Sequence, residues 1–254
     1  MKQVPNLFTL LNLIFGCLAI VFILQNGIAI QYNAEGTQFV DIPEKIWMAS
    51  LFIGLAGVVD FLDGFVARLF KATSEMGEQL DSLADVVSFG VAPSMIIFQF
   101  LRMSFASAEE GIEVSYLLLF PSFFIAAAAA YRLAKFNIDK TQKTIFKGVP
   151  TPAVGMLIAS FPLIYWYSNN EVIINLLLNK WFLYSVIIFL CWLMVSNLSI
   201  MSLKFKNLNP KTNIHIYTLL IASVIFIFTL HWMAVPLIFI SYIILSLVFK
   251  NKLS

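Results

Sequence analysis

Four aspartates in two closely spaced pairs interrupt an otherwise apolar part of the sequence, Asp60 with Asp63 and Asp81 with Asp85. An ionised carboxylate near hydrocarbon costs about 2.5 kcal/mol or more, so four of them require compensation by cations or water. Carboxylate oxygens without histidine or cysteine suit Mg²⁺ or Mn²⁺ rather than zinc, and such ions commonly bridge protein carboxylates to substrate phosphates. The sequence therefore predicts a divalent metal site formed by these four residues.

The spacing within each pair predicts how the carboxylates are presented. Residues three or four positions apart share one face of a helix, and this spacing holds for both pairs. The intervening residues 69–76 are just long enough to turn the chain, so we expect the two pairs to confront each other across an antiparallel pair of helices. Small residues on the same faces leave room for a ligand against the backbone: Gly64, Ala67 and Gly77.

The elements that must position these residues are membrane helices. The chain is 60% hydrophobic and only 12% charged, whereas soluble domains carry roughly 25% charged residues. Spanning helices need about 20 apolar residues, and eight apolar stretches recur at about 7–26, 46–68, 80–101, 115–136, 152–168, 181–201, 213–230 and 232–249. We expect an all-α polytopic membrane protein with about eight transmembrane helices, with membrane lipids and no nucleic acid among its partners.

A polar, basic and proline-containing segment at 199–212 is the best internal boundary of the chain. It predicts a membrane core of six helices over residues 1–207 and a C-terminal transmembrane hairpin over residues 208–254. No repeat or flexible linker indicates a further division.

Basic residues predict the orientation, because cytoplasmic loops carry an excess of lysine and arginine. With connections assigned alternately to the two sides, only Lys45, Arg102 and Lys180 fall on one side. The other side receives Lys2, Arg68, Lys71, Arg132, Lys135, Lys140, Lys143, Lys147, Lys204, Lys206, Lys211, Lys250 and Lys252. We therefore expect an inner (cytoplasmic) membrane protein with both termini in the cytoplasm and the aspartates at the cytoplasmic face.

The full pattern around the aspartates reads D-x-x-D-G-x-x-A-R, then eight residues, then G-x-x-x-D-x-x-x-D, from Asp60 to Asp85. It resembles the signature of the CDP-alcohol phosphatidyltransferase family, and every position matches. The resemblance implies an enzyme that transfers a phosphatidyl group from CDP-diacylglycerol to an alcohol and releases CMP, with Mg²⁺ or Mn²⁺ as cofactor. It also implies a homodimer.

The resemblance also implies roles for the residues at the matching positions. Asp60, Asp63 and Asp81 would hold the metal, while Asp85 would share a second ion and act as the catalytic general base on the acceptor hydroxyl. The residues implied for binding the CDP-linked lipid are Gly64, Ala67, Arg68 and Gly77.

A polar stripe in the first apolar stretch is a further candidate for binding the CDP-linked lipid. Asn6, Thr9 and Asn12 recur every three residues after Pro5, which suits the first turn of a helix. Donors near a helix N-terminus favour an anionic diphosphate, although helix capping and hydrogen bonds between helices would equally explain these residues.

Further segments, one of which overlaps the end of the motif, resemble the bacterial branch of the family that uses L-serine as the alcohol: P-N-L-F-T-L-L-N, D-S-L-A-D-V-V-S-F-G-V-A-P, Y-R-L-A-K-F-N, G-V-P-T-P-A and L-M-V-S-N. The planar guanidinium of Arg132 suits bidentate binding of an acceptor carboxylate. The candidates for acceptor binding are Ser88, Arg132, Lys135, Asn137 and Lys147.

Two alternatives remain open at this point. The same chemistry could use glycerol 3-phosphate, an inositol phosphate or an amino alcohol, of which a phosphorylated acceptor would need extra basic residues beside the site. A cation or proton transporter with intramembrane aspartates is the alternative from another class. It is disfavoured because transporter sites lie near the midplane of repeated folds, whereas these aspartates lie at one edge of the apolar stretches and no repeat is visible.

Overall fold

The computed structural model describes residues 4–25, 29–32, 38–41, 45–69, 74–106, 114–139, 146–201 and 213–249. The α-helices in these ranges are α1 (Val4–Leu24), α2 (Ile46–Leu69), α3 (Glu75–Asp85), α4 (Ala92–Ala106), α5 (Tyr116–Leu119), α6 (Phe124–Ile138), α7 (Thr151–Tyr167), α8 (Glu171–Leu177), α9 (Lys180–Val195), α10 (Ile214–Leu230) and α11 (Ala234–Val248). Two short antiparallel pairs of strands accompany them, β1 (Ala29–Tyr32) with β2 (Gln38–Asp41) and β3 (Phe146–Lys147) with β4 (Ser199–Ile200).

The helices confirm the predicted all-α membrane architecture, since a chain in lipid must satisfy its backbone groups internally. Each of the predicted apolar stretches is helical over most of its length. Within the part of the chain that the structure describes, five helical runs are long and apolar enough to cross a membrane: Pro5–Leu24, Ile46–Ala67, Glu75–Ala106, Tyr116–Ile138 and Ile214–Val248. A sixth span results if α8 and α9, which meet at a bend of 64°, are counted together, and α7 is a shorter apolar helix.

The most buried helical run lies at the centre of the fold and consists of α3, a π-helical turn (Val86–Val91) and α4. It begins at Glu75, before the apolar stretch at 80–101, because Ser74 caps it: the Ser74 hydroxyl accepts a hydrogen bond from the Gly77 amide at 3.0 Å. As a result, Gly77 and Asp81 both lie inside the helix.

The π-helical turn packs closely against α1. The Ser88 hydroxyl donates a hydrogen bond to the main-chain oxygen of Asn12 at 3.0 Å. A Cβ atom added to Gly16 would lie only 2.9 Å from the Cα atom of Ser88, so only glycine lets the two backbones approach this closely. This contact fixes the first helix beside the aspartates of α3.

The last two helices form an antiparallel hairpin. His231 has φ 51° and begins a single 3₁₀ turn, His231–Met233, between α10 and α11. The rings of His215, at the start of α10, and Phe249, just after α11, lie 6.0 Å apart. The predicted boundary at residues 207 and 208 falls outside the described residues, so the division into two domains stays a prediction.

The polypeptide before α7 turns sharply at Gly148, whose φ of 76° is strained for other residues. Its amide donates a hydrogen bond to the Leu198 oxygen at 2.8 Å, beside the β3–β4 pair. This turn places Thr151, the first residue of α7, in the buried interior.

Candidate active site

Three carboxylates meet where α2 ends and α3 begins. Oxygen atoms of Asp60, Asp63 and Asp81 all lie within 4.8 Å of one another. Asp63 is buried, with 6% of its surface exposed, and the other two are partly buried. Helices α2 and α3 therefore bring these three aspartates together, as their spacing predicted.

The donor set of this cluster fits a divalent metal ion. Oδ1 of Asp81 is buried and has no hydrogen-bond partner among the described residues, and a buried polar atom without a partner costs about 1–3 kcal/mol. Three mutually repelling carboxylates at this distance favour a cation between them, and oxygen donors suit hard cations such as Mg²⁺ or Mn²⁺. The cluster could thus hold a metal ion.

Helix α1 supports the carboxylates with its polar stripe. The Thr9 hydroxyl donates a hydrogen bond to Oδ2 of Asp63 at 3.0 Å, and the Asn12 amide donates one to Oδ1 of Asp85 at 3.2 Å. Both Thr9 and Asn12 are buried. Two of the three stripe residues therefore orient carboxylates across the interface between helices.

Asp85 lies one turn further along α3 and is not one of the three clustered residues. It is buried, with 6% exposure, and interacts electrostatically with Asp60, Asp81 and Asp63. The fourth aspartate is thus close enough for the charges of the cluster to act on it, and the hydrogen bond that it accepts from Asn12 fixes its position.

A cavity of about 110 Å³ opens beside the cluster. It contains five of the seven residues predicted to bind the CDP-linked lipid: Asn6, Thr9, Gly64, Ala67 and Gly77. Asp63, Asp81, Pro5, Ser74 and Glu78 complete its lining. Of the two remaining residues, Asn12 lies by Asp85, and the side chain of Arg68 falls outside what the structure describes.

Arg132 is a buried cation on α6, with 8% of its surface exposed. One terminal nitrogen of its guanidinium donates a hydrogen bond to the Thr151 hydroxyl at 3.3 Å. Its Nε atom is buried and without a hydrogen-bond partner in the described ranges. Asp85 acts on Arg132 electrostatically, so the structure brings this acceptor candidate and the fourth aspartate into one region.

The other acceptor candidates make contacts of their own. Lys135 donates a hydrogen bond to Oδ1 of Asn197 at 3.0 Å, and Lys147 forms an ion pair with Asp139 at 3.0 Å. Such exposed pairs contribute about 0–1 kcal/mol. Neither lysine shares the buried position of Arg132.

Two polar candidates connect α3 to its neighbours. Asn137 donates a hydrogen bond to the Ser82 hydroxyl at 2.9 Å, which ties α6 to the residue next to Asp81. Ser88 is fully buried and donates to the Asn12 oxygen in the contact with α1. Their roles in acceptor binding stay predictions.

Sequence reasoning did not assign a site role to Thr151 or Tyr242. Thr151 stands between two prolines in the G-V-P-T-P-A segment, which signals a fixed conformation but not a partner for Arg132. Tyr242 is buried on α11 and donates a hydrogen bond to the main-chain oxygen of Met201 at 3.0 Å, although nothing in the apolar sequence around it predicts a polar contact there.

Comparison with known proteins agrees with this geometry. The family model for CDP-alcohol phosphatidyltransferases matches residues 2–195. The chain is 32% identical over 225 residues to the CDP-diacylglycerol–serine O-phosphatidyltransferase of Helicobacter pylori, which covers 88% of this chain and 81% of the relative.

Two further relatives carry the same name. The Bacillus subtilis protein is 32% identical over 165 residues, covering 65% of this chain and 78% of its own length. The Saccharomyces cerevisiae protein is 38% identical over 125 residues, covering 46% of this chain and 41% of its own length.

Proposed function

The chain belongs to the CDP-alcohol phosphatidyltransferase family, and from that membership we infer that it transfers the phosphatidyl group of CDP-diacylglycerol to L-serine. The products are phosphatidylserine and CMP. The observation that carries the choice of serine is the shared name of relatives that match most of this chain. Buried Arg132, whose Nε has no hydrogen-bond partner among the described residues, supports an acceptor with a carboxylate.

We propose that Asp60, Asp63 and Asp81 hold a Mg²⁺ or Mn²⁺ ion, with Asp85 as a ligand to a second ion if two are bound. Their converging oxygens and the unpartnered Oδ1 of Asp81 support this assignment. When bound, the ion would neutralise the negative charge of the diphosphate and of the departing CMP. Thr9 holds Asp63 in the orientation that this binding requires.

Asp85 is the proposed general base. The serine hydroxyl oxygen attacks the phosphatidyl (β) phosphorus, a new P–O bond forms, and the bond from that phosphorus to the CMP oxygen breaks with its electron pair. Asp85 accepts the hydroxyl proton. Its burial and its hydrogen bond from Asn12 keep one oxygen fixed while the other remains for the proton.

Arg132 is the proposed partner of the serine carboxylate. A buried guanidinium with an unused Nε–H is costly unless a ligand accepts from it. A carboxylate can accept from Nε and a terminal nitrogen together, because the two N–H groups form a planar fork. This arrangement would present the serine hydroxyl to Asp85, while Lys135, Asn137, Lys147 and Ser88 remain secondary candidates for acceptor binding.

The cavity beside the cluster is the proposed position for the cytidine diphosphate. Its lining by Gly64, Ala67 and Gly77 supports close approach of a ligand to the backbone. We place Arg68 here from the motif. The acyl chains would remain in the bilayer.

The sequence supports three further proposals about the protein in the cell. The aspartate end of the bundle faces the cytoplasm, as the distribution of Lys and Arg indicates. The protein resides in an inner membrane, and both of its termini lie on the cytoplasmic side. We also propose a homodimer, which rests on the family resemblance.

A panel of acceptors tests the proposed reaction. Purified protein in mixed micelles receives CDP-diacylglycerol, Mn²⁺ or Mg²⁺, and either L-serine, ethanolamine, glycerol 3-phosphate or inositol 1-phosphate, and CMP and lipid products are quantified. We expect CMP release with serine alone, equimolar with phosphatidylserine, and none in excess chelator. CMP release that follows a phosphorylated acceptor, or metal flux in proteoliposomes without nucleotide, would contradict the proposal.

A further inference from the structure

The first residue of α7, Thr151, lies directly against the buried guanidinium of α6. A terminal nitrogen of Arg132 donates a hydrogen bond to the Thr151 hydroxyl at 3.3 Å, and Thr151 is fully buried. A hydroxyl that accepts one hydrogen bond can still donate its own proton. No acceptor for that proton is present among the described residues, so the proton is available to a ligand.

The main chain at the start of α7 offers a second donor. The first amides of a helix have no partners within the helix, and its N-terminus favours an anion. Pro152, the second residue of α7, has no N–H group, and the third, Ala153, donates to the Pro150 oxygen at 3.1 Å. In the part of the chain that the structure describes, the Thr151 amide has no such main-chain partner.

The segment before α7 fixes the position of these two donors. The Gly148 amide donates to the Leu198 oxygen at 2.8 Å, and the Val149 amide donates to the Leu193 oxygen at 3.1 Å. The prolines on either side of Thr151 restrict the backbone further. The hydroxyl and the amide of this residue are therefore held in place before a ligand arrives.

Helix α7 runs in the same direction as the central helical run. A Cβ atom added to Gly155 would lie 3.0 Å from the Cα atom of Phe89 in the π-helical turn. Further along both elements, the rings of Phe100 and Phe161 lie 6.3 Å apart. Since residue numbers rise together in the two contacts, the helices are parallel.

This packing places the N-terminus of α7 at the level of the proposed general base. Thr151 precedes Gly155 by four residues, and Asp85 precedes Phe89 by four residues. Four residues correspond to about one helical turn. In parallel helices that touch at Gly155 and Phe89, the two earlier residues therefore lie at about the same depth.

Two contacts of α6 place Arg132 at that same level. Asn137 donates a hydrogen bond to the Ser82 hydroxyl at 2.9 Å, and a Cβ atom added to Gly90 would lie 3.1 Å from the Cβ atom of Ala129. On α6 these contacts bracket Arg132, and on the facing run they bracket the fourth aspartate. The guanidinium, the start of α7 and the general base thus surround one region.

We propose that the N-terminus of α7 is part of the acceptor site, and that Thr151 binds the serine carboxylate together with Arg132. The Thr151 hydroxyl accepts from Arg132 and donates its proton to one carboxylate oxygen, while the unpartnered Nε–H of Arg132 binds the other. The Thr151 amide is a further donor to the same anion. This inference rests on the proposed function, because it assigns a ligand within the same site.

Such a site would select against acceptors that lack an anionic group. An alcohol such as ethanolamine leaves the buried donors of Thr151 and Arg132 without acceptors, and unpaired buried donors are costly. Sites that hydrogen-bond one group of a substrate discriminate strongly against analogues that lack the group. The start of α7 is thereby a determinant of specificity.

Variants of the full-length protein isolate the Thr151 hydroxyl. Thr151→Val removes it at nearly constant shape. Thr151→Ser and Thr151→Ala both lose the methyl group and differ only in the hydroxyl, so this pair decides the question if the valine variant does not fold. Ser160→Ala is the control, because it removes another buried hydroxyl of α7, bonded to the Leu157 oxygen at 2.6 Å.

CMP release is measured in mixed micelles while serine and CDP-diacylglycerol are varied in turn, and the melting temperature of each variant is recorded. In Thr151→Val and Thr151→Ala we expect the KM for serine to rise roughly 10–100-fold, the effect of losing a hydrogen bond to a charged group. The kcat and the KM for CDP-diacylglycerol should stay within about twofold. Thr151→Ser and Ser160→Ala should keep the wild-type KM for serine, whatever their melting temperatures.

An unchanged KM for serine in Thr151→Val and Thr151→Ala would overturn the inference and leave the proposed function intact. So would a Thr151→Ser variant as impaired as Thr151→Ala, because packing rather than the hydroxyl would then matter. An equal rise in the KM for CDP-diacylglycerol would have the same meaning.

A different result would refute the proposed function first. If the wild type releases CMP only with a phosphorylated acceptor, the inference requires the KM for that acceptor to rise in Thr151→Val, and it fails if this KM is unchanged. CMP release only with an acceptor that has no anionic group would overturn both.

Discussion

Replacing Thr9 by valine should weaken metal binding without disturbing the fold. The side chains of threonine and valine are nearly equal in shape, so the change removes one hydroxyl from a buried interface. That hydroxyl donates to Oδ2 of Asp63 at 3.0 Å and also lies 3.2 Å from the Pro5 oxygen. An ionised Asp63 is the stronger acceptor of the two.

The size of the effect follows from the role of this contact. Loss of a partner that orients a metal ligand typically costs roughly 10–100-fold in metal affinity, which equals about 1.4–2.7 kcal/mol. A hydrogen bond to a charged group contributes about 1.5–3 kcal/mol, so the two estimates agree. We expect the apparent affinity for Mn²⁺ to fall within that range.

The assay is a Mn²⁺ titration of serine-dependent CMP release at saturating CDP-diacylglycerol. In Thr9→Val the midpoint of the titration should move to a roughly 10–100-fold higher Mn²⁺ concentration. The rate at saturating Mn²⁺ should recover most of the wild-type value. Thr9→Ser keeps the hydroxyl and should titrate like the wild type. Thr218→Val removes an exposed hydroxyl on α10, bonded to the Ile214 oxygen at 2.8 Å, and serves as the control for loss of a threonine hydroxyl away from the metal site.

An unchanged midpoint with a reduced maximal rate would refute this reasoning, because it would show that Thr9 does not act through a metal ligand. The same conclusion would follow if Thr218→Val shifted the midpoint as far as Thr9→Val.

Four further changes have defined outcomes. Asp85→Asn should lower serine-dependent CMP release by about 10²–10⁴-fold, which is the usual contribution of a general base, while the protein remains monodisperse. Activity near that of the wild type would show that Asp85 is not the general base. Arg132→Lys should raise the KM for serine roughly tenfold, since lysine lacks the planar fork, and an equal rise in the KM for CDP-diacylglycerol would argue for general damage. Gly16→Ala should destabilise the protein by about 1–3 kcal/mol through overpacking against Ser88, as measured by thermal unfolding. Gly54→Ala meets no atom within 4 Å and should be neutral or stabilising by up to about 1 kcal/mol; equal melting temperatures for both variants would contradict the packing argument.

The helical architecture could be predicted because each helix carries its own signal. A run of about 20 apolar residues must satisfy its backbone groups within the helix when it enters lipid. The approach of Asp60, Asp63 and Asp81 could be predicted for a similar reason, since the motif and the turn that joins its halves lie within a short segment. Metal binding by these residues remains a prediction.

The exact start of the central helix depends on capping rather than on hydropathy. Hydropathy rises near residue 80, but Ser74 and the acidic residues Glu75 and Glu78 in the first turn are an N-terminal signal. The turn predicted for residues 69–76 already placed Gly77 in the helix, and the Ser74 cap fixes the helix start at Glu75.

The remaining features depend on contacts between distant residues. The π-helical turn at Val86–Val91 coincides with close packing against Gly16, and nothing in its local sequence distinguishes it from an α-helix. The Tyr242 hydroxyl reaches the Met201 oxygen only because the hairpin folds back onto the core. Spacing along the chain carries no information about either contact.

Metal binding at the aspartate cluster is the central claim, and electron paramagnetic resonance of bound Mn²⁺ tests it most directly. Purified wild-type protein and the single variants Asp60→Asn, Asp63→Asn and Asp81→Asn are titrated with Mn²⁺, and serine-dependent CMP release is measured on the same samples. We predict that each variant loses high-affinity Mn²⁺ binding together with phosphatidylserine formation. Variants that bind Mn²⁺ and release CMP as the wild type does would contradict the assignment of this cluster as the metal site.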